Sequence, residues 1–171
     1  DVLTEDTLLV SVMHVNNETG VIQPLDRIAS ALDSHHAYFH VDAAQGFGKE
    51  LDLLRQQRID MISVSSHKIY GPPGIGALIA RRRERCRPPL EPLVHGGGQE
   101  RGLRPGTVPV AQAVGMGEAA RLALEEHSTW QKRCREFREA LLAGLAILNP
   151  RLVTADSPTL PNVASLQFGD I

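Results

Sequence analysis

A lysine that follows an apolar run and precedes backbone-bending residues is the most informative feature of this chain. Lys68 comes shortly after the apolar run at residues 61–64 and before a glycine- and proline-rich segment at residues 71–76. Such a run predicts a buried strand, and residues just past the carboxyl end of a strand in an open α/β sheet face the ligand crevice. There a lysine amine can form a Schiff base with an aldehyde, and Ser65 and His67 can donate hydrogen bonds to a phosphate. Taken alone, however, a lysine in a turn is usually exposed to solvent.

A second polar cluster ends the strand-like run that begins at residue 37. Asp42 falls at its carboxyl end, and Gln45 follows three residues later. A carboxylate beside a pyridine nitrogen favours the protonated ring, which then acts as an electron sink, while an amide can bond a phenolic oxygen. Asp42 could equally be a turn or helix-cap residue, and Gln45 a polar loop residue. Together with Lys68, the cluster indicates pyridoxal-phosphate chemistry.

A third polar cluster, at residues 13–20, follows the apolar run at residues 8–12. Because Asn and Gly tolerate positive φ, the cluster would also make an ordinary turn. In company with the other clusters, Asn17 becomes a candidate to reach the cofactor's phenolic oxygen or a substrate carboxylate. His14 is a candidate to assist proton movement, with a strand-end histidine as the alternative.

Four segments of the chain, in order, resemble the cysteine desulfurases, which are class V relatives of the aminotransferases. They are HVNNETG at 14–20, HVDAAQ at 40–45, SSHKIYGP at 65–72 and HGGGQERGLRPGT at 95–107. The resemblance runs through nearly the whole chain. It implies pyridoxal 5'-phosphate as the cofactor and a homodimer as the assembly.

The resemblance also implies a role for each candidate site residue. Lys68 would be the Schiff-base lysine and the base for the substrate's α-proton, with His67 assisting proton movement. Asp42 would pair with the pyridine nitrogen. Asn17 and Gln45 would contact the ring oxygen, and Ser65 and His67 would bind the phosphate. Thr107 would reach the phosphate bound to the partner subunit.

The implied fold is α/β, a large domain of the type I pyridoxal-phosphate fold with a mostly parallel sheet, truncated and followed by the start of a smaller α+β domain. We expect residues 1–124 to belong to the cofactor-binding large domain, and residues 125–171 to form a connecting helix and the start of the small domain. Periodicity predicts helices near 110–124 and over 125–148.

The two cysteines do not match the nucleophilic thiol that a cysteine desulfurase needs. Cys86 lies among arginines that could lower a thiol pKa, but outside the family's order, which predicts a surface thiol. Cys134 lies on an apolar stripe of helical spacing, which predicts a core position. The stripe comprises Trp130, Cys134, Phe137, Leu141, Leu145 and Leu148. We therefore expect the chain to be an internal fragment, inactive alone, that lacks the catalytic cysteine.

Composition narrows the remaining classes of function. The chain is 42% hydrophobic with a net charge of −2, and no apolar stretch is long enough to span a bilayer. The cysteine spacing fits neither a metal site nor a disulfide framework. The basic run at residues 81–87 lacks interleaved aromatic residues, which favours a solvated arm over nucleic-acid binding. We expect a cytoplasmic enzyme without membrane or direct nucleic-acid contacts.

The resemblance implies an intact protein that converts L-cysteine to L-alanine. Its sulfur would pass to an enzyme cysteine as a persulfide and then to an acceptor protein. Iron–sulfur cluster assembly, tRNA thiolation and DNA sulfur modification stay open as destinations. Selenocysteine lysis and transamination, which would use the same lysine and aspartate, are alternatives. A non-catalytic binding or dimerising remnant is another.

Overall fold

The computed structural model describes residues 2–83 and 85–169. Its centre is a four-stranded sheet in the order β1-β2-β3-β4. The first three strands are mutually parallel, and β4 pairs antiparallel with β3. The strands are β1 (Leu9–Met13), β2 (Tyr38–Asp42), β3 (Met61–Ser65) and β4 (Gly76–Ala80). This confirms an α/β fold with a mostly parallel sheet.

Helices connect and follow these strands. Helix α1 (Leu25–Ala31) crosses from β1 to β2, while α2 (Val110–Glu125) and α3 (His127–Leu145) follow the sheet and are separated by Glu126 alone. The two helices predicted from periodicity are therefore confirmed. A second, two-stranded antiparallel sheet closes the described region, with strands β5 (Arg151–Leu152) and β6 (Leu166–Gln167).

The two faces of the four-stranded sheet differ in character, because successive side chains of a strand point to opposite sides. One face packs against α1 in a core that includes Leu25, Phe39, Val41, Ile62 and Val64. The opposite face of β2 and β3 carries partly buried polar residues, His40, Asp42, Ser63 and Ser65. The buried face anchors the strands, and the open face presents polar groups.

A buried ion pair lies at the amino end of the sheet. Arg58 Nη1 donates to Asp60 Oδ2 over 2.8 Å, and both side chains are less than a tenth exposed. The same Asp60 oxygen accepts the backbone N–H of Phe39 at 2.7 Å. The remaining Arg58 donors bond the backbone carbonyls of Leu32, His35 and Ala37. This network joins the end of α1 to the starts of β2 and β3.

Several local predictions need correction. Strand β4 was not predicted, and the strand-like run at residues 162–168 pairs only at Leu166–Gln167. The apolar stripe on α3 is not a buried face, because no residue of α3 is buried and the side chain of Phe137 is 67% exposed. Its amino-terminal part is half-covered, since Trp130 bonds Tyr70 at 3.1 Å. Cys134 is accordingly half-buried rather than core, whereas Cys86 is exposed as predicted.

No helix within the described residues is long and apolar enough to cross a membrane.

Candidate functional site

The carboxyl ends of β1, β2 and β3 meet at one edge of the sheet. The parallel register sets Met13 beside Asp42, and Asp42 beside Ser63. Ser65 lies two residues beyond Ser63 and points to the same face as Asp42, since side chains alternate along a strand. The ladders therefore bring together polar side chains that are more than twenty residues apart in sequence.

Asp42 is half-buried at this edge and has one uncommitted carboxylate oxygen. Its Oδ1 accepts the backbone N–H of Ala44 at 3.0 Å. Its backbone carbonyl accepts the N–H of His14 at 2.8 Å, which ties the end of β2 to the end of β1. Within the described residues, Oδ2 has no hydrogen-bond partner, so it is available to an N–H group outside the protein.

Ser65, His67 and Lys68 are brought together by a single short turn. A 3₁₀ turn (Ser66–Ile69) follows β3 directly and ends at Tyr70, whose φ of 65° is left-handed. Ser65 Oγ and His67 Nδ1 share a hydrogen bond of 2.9 Å, with His67 exposed and Lys68 half-buried. The turn thus places a hydroxyl, an imidazole and an amine at the edge that also carries Asp42.

The turn depends on a close approach between Gly71 and Ser66. A Cβ at position 71 would collide with Ser66 Oγ, so glycine is required there. Ser66 is fully buried, and its Oγ has no partner among the described residues. Its role is therefore to fill the inside of the turn, while Ser65 and His67 occupy the accessible side.

Asn17 and Gln45 lie on the turns that follow β1 and β2. The amide of Asn16 organises the first turn, because its Oδ1 accepts the backbone N–H groups of Glu18 and Thr19. Asn17 itself is exposed, and Gln45 is half-buried. Within the described part of the chain, no hydrogen bond joins either amide to Lys68 or Asp42.

Thr107 is not brought to the strand ends by any hydrogen bond among residues 2–83 and 85–169. It is exposed in the segment between the 3₁₀ turn at Glu100–Gly102 and α2. The neighbouring Gly106 has a φ of +107°, and its N–H donates to Gln99 Oε1 at 3.0 Å. This segment therefore has a local conformation of its own, outside the sheet edge.

His14 is a buried packing residue, which favours the strand-end alternative over a role in proton movement. Its side chain is fully buried, and a Cβ at Gly46 would collide with the ring. Neither ring nitrogen has a partner among the described residues. Burial lowers the pKa of His14 to about 4, against a smaller opposing effect of Glu50. The imidazole is thus neutral at pH 7.

His40 makes two contacts that the sequence did not predict. Its Nδ1 lies 2.8 Å from Ser11 Oγ and its Nε2 lies 3.2 Å from Ser63 Oγ, so the ring spans three strands on the open face. No local sequence signal identifies such a pairing, because the two serines lie 52 residues apart in sequence. The bridge stabilises the polar face beside Asp42.

The residues at this edge fit pyridoxal phosphate chemically. Asp42 offers an open carboxylate oxygen to a ring N–H, and the Ser65–His67 pair offers polar hydrogens on an accessible surface. Lys68 supplies an amine on the same turn. Among the described residues, no group of three or more His, Cys, Asp or Glu side chains could hold a metal ion.

The family model for aminotransferase class-V matches residues 1–171. The chain belongs to this family.

Similar proteins extend the comparison. The chain is 47% identical over 167 residues to the cysteine desulfurase IscS of Pectobacterium carotovorum subsp. carotovorum (strain PC1), covering 97% of this chain and 41% of the relative. A crystal structure of DndA from Streptomyces lividans superposes with a TM-score of 0.88 at 52% identity, covering 94% of this chain and 45% of that one. A structure of SspA in complex with cysteine has a TM-score of 0.61 at 46% identity, covering 70% and 34%. The chain thus spans less than half the length of these proteins.

Proposed function

We propose that the protein containing this chain is a pyridoxal-phosphate-dependent cysteine desulfurase. The single observation that carries the proposal is the sheet edge that collects Asp42 with the turn of Ser65, His67 and Lys68. The similarity to relatives named cysteine desulfurase IscS supports the reaction class. The substrate class is supported by a similar protein, SspA, whose structure was determined in complex with cysteine.

Each site residue has a proposed task. Lys68 would hold the aldehyde of the cofactor, and Asp42 Oδ2 would accept a hydrogen bond from the pyridine N–H. Ser65 and His67 bind the phosphate. Pyridoxal phosphate, when bound, supplies a protonated ring that delocalises negative charge from the substrate's α-carbon. Three further residues complete the proposal, although no hydrogen bond among the described residues joins them to this edge. Asn17 and Gln45 would contact the ring oxygen, and Thr107 would contact the phosphate of the partner subunit.

Proton transfer at the substrate's α-carbon would depend on the amine of Lys68. A free Lys68 amine can accept the proton of the α-carbon, since it stays attached to the turn that ends β3. His67 is exposed and hydrogen-bonded to Ser65, so it is positioned to bind phosphate and to exchange protons with solvent. These two residues are the proposed catalytic pair.

The sulfur would be taken by a cysteine outside residues 1–171. Cys134 is a poor candidate, because burial raises the pKa of its thiol and so reduces the thiolate that attacks sulfur. Cys86 is exposed, in the segment that follows β4 rather than at the sheet edge. The proposal therefore includes a nucleophilic thiol elsewhere in the protein. It also includes a homodimer and an acceptor protein that receives the sulfur.

The domain division is likewise proposed, with residues 1–124 in the cofactor-binding domain and residues 125–171 leading into a smaller one. Its support is the break between α2 and α3 at Glu126, and the separate sheet of β5 and β6.

The test begins with the full-length protein, reduced with borohydride and mapped by peptide mass spectrometry. We expect a pyridoxyl group on Lys68 and on no other lysine. Incubation of the unreduced protein with L-cysteine should then release alanine and leave a persulfide on an enzyme cysteine. Lys132→Ala is the matched control: labelling of Lys68 and release of alanine should be unchanged in this variant, because Lys132 is exposed on α3 and far from β3 in sequence.

Two results would contradict the proposal. An unmodified Lys68 in the full-length protein would leave a non-catalytic remnant of the family. A modified Lys68 with no alanine from L-cysteine, but with turnover of selenocysteine or a keto acid, would assign another class V reaction to the same site.

A further inference from the structure

A second concave region lies beside the Lys68 turn and outside the proposed cofactor contacts. It is a partly enclosed cavity of about 190 Å³ between the turn after β2, the turn after β3, and helices α2 and α3. Its walls are mostly apolar. The residues that line it are Gly48, Lys49, Ile69, Tyr70, Ala119, Leu122, Ala123, Glu126 and Trp130.

Lys49 is the unusual member of this lining, since it is a mostly buried residue whose ammonium group has no counter-ion in the described part of the chain. The residue is only 8% exposed. Within the described residues, no carboxylate lies within 4.0 Å of its ammonium group, and its side chain makes no hydrogen bond. The Lys49 nitrogen is not among the described side-chain atoms that are both fully buried and without a partner, so its charge keeps contact with solvent. The site therefore has a charge to which an anion is complementary.

The backbone around Lys49 holds the residue in place. Its carbonyl accepts hydrogen bonds from His127 Nε2 at 3.0 Å and Gln131 Nε2 at 3.3 Å, both from the first turns of α3. On the other side of the cavity, Trp130 Nε1 donates to Tyr70 Oη at 3.1 Å. Helix α3 thus fixes both turns that form the cavity.

The other charged groups near Lys49 reinforce its need for an anion. Burial and the neighbouring charge of Lys68 both lower the pKa of Lys49, while Cys134 has a smaller opposing effect. Glu126 also lines the cavity but is an exposed residue, and no ion pair links it to Lys49. Lys49 is therefore the cation of the lining, and Glu126 does not neutralise it through an ion pair.

We propose that this cavity binds a small carboxylic acid with a compact apolar group, its carboxylate paired with Lys49 and its apolar group packed against Ile69, Leu122 and Trp130. The size agrees, because an apolar cavity of about 150 Å³ can hold benzene. The apolar walls disfavour a free phosphate, which would need more polar partners.

The cavity shares its walls with the turns of the candidate site. Ile69 and Tyr70 directly follow Lys68, and Lys49 belongs to the same turn region as Gln45. An occupant would therefore contact backbone that positions proposed cofactor ligands, without occupying the open face beside Asp42. The binding site would be separate from the substrate site.

Benzoate titrated into the full-length, cofactor-loaded protein tests this proposal, with binding measured by calorimetry. Benzamide is the matched neutral probe. We expect benzoate to bind the wild-type protein. Lys49→Met should lower the affinity for benzoate at least about tenfold, a difference of about 1.4 kcal/mol. The same substitution should change the affinity for benzamide less than twofold. Lys132→Met, which removes an exposed lysine of α3, should leave both probes unchanged.

A second variant keeps the test decisive if Lys49→Met fails to fold. Ala123→Leu adds apolar volume to the cavity wall and should weaken benzoate and benzamide alike. The proposal is overturned if wild-type protein does not bind benzoate, if both cavity variants bind it normally, or if saturating L-cysteine displaces it competitively. None of these results depends on turnover, so they are distinguishable from failure of the desulfurase proposal.

Discussion

The amino and carboxyl ends of the parallel sheet both carry charged residues, but they use them differently. At the amino end, Arg58 and Asp60 are buried and bonded to each other and to surrounding backbone. At the carboxyl end, Asp42 keeps an open oxygen and Lys68 has no ion-pair partner among the described residues. The amino-end groups are satisfied within the protein, and the carboxyl-end groups are available to a ligand.

The difference shows that partners, rather than residue type, separate structural charges from functional ones. A buried charge must be paired to avoid a large desolvation penalty, so the Arg58–Asp60 pair has little capacity left for a ligand. A half-buried group at an open edge can exchange water for a ligand at lower cost. The two ends should therefore respond differently to substitution.

The largest expected effect is on activity at the carboxyl end. In the full-length protein, Lys68→Ala should lower cysteine turnover by about 10²–10⁴-fold, the usual contribution of a positioned acid or base. The free energy of unfolding should change by less than about 0.5 kcal/mol, because no ion pair is lost. Turnover and urea denaturation of the same preparation measure both. A large loss of stability would erase the distinction between the two ends.

The next effect is on stability at the amino end. Arg58→Met should lower the free energy of unfolding by about 3–5 kcal/mol, because it removes the 2.8 Å partner of the buried Asp60 carboxylate and leaves it only the more distant Arg83 Nε at 3.7 Å. Cysteine turnover per folded molecule should be unchanged. Urea denaturation measures the loss, and thermal melts locate conditions in which the variant is folded.

A double variant sharpens this result. Arg58→Met combined with Asp60→Asn removes both charges but keeps a side-chain oxygen for the Phe39 N–H. It should recover much of the lost stability, since replacing both partners of a buried pair is often tolerated. If the double variant is no more stable than the single one, the carboxylate is not the source of the loss.

His14 tests whether burial or position at the carboxyl end decides the role of a residue. Its pKa falls from 6.5 to about 4 in the folded protein, so the unfolded state takes up the proton first as pH is lowered. Stability should therefore be intact above pH 6.5 and decrease as pH falls from about 6.5 to below 4, by roughly 3 kcal/mol in total at 1.36 kcal/mol per pKa unit.

His14→Phe should remove this part of the pH dependence, because phenylalanine keeps a flat ring against Gly46 and does not titrate. Denaturation at pH 7.5 and pH 4.5 gives the comparison, with the exposed His36→Phe as the control. Equal pH dependence in wild type and His14→Phe would show that carboxylates alone cause the acid loss.

The smallest effect on the free energy of unfolding is expected for a substitution on the open face of the sheet, between its two ends. Ser11→Ala removes the 2.8 Å hydrogen bond to His40 and should lower the free energy of unfolding by about 0.5–1.5 kcal/mol. Ser30→Ala, which removes an exposed side-chain bond in α1, is the matched control. Borohydride labelling of Lys68 should be unaffected, whereas a loss of labelling would make the His40 bridge part of the cofactor site.

Short-range patterns in the amino-acid sequence were enough to predict several of the strands and helices. The apolar runs before His14, Asp42 and Lys68 specified β1, β2 and β3, because a strand's period and composition are local properties. Helices α2 and α3 followed from periodicity for the same reason. The resemblance of ordered motifs indicated the family before any geometry was known.

Which polar groups have partners depends on long-range packing and could not be predicted from local patterns. The fold pairs Arg58 with Asp60, encloses His14 against Gly46, and gives Lys49 no counter-ion among residues 2–83 and 85–169. The apolar stripe on α3 shows the same limit, since its spacing is a helix property but its burial depends on what packs against it. Burial and pairing are set by residues far apart in the chain, and no local pattern records them.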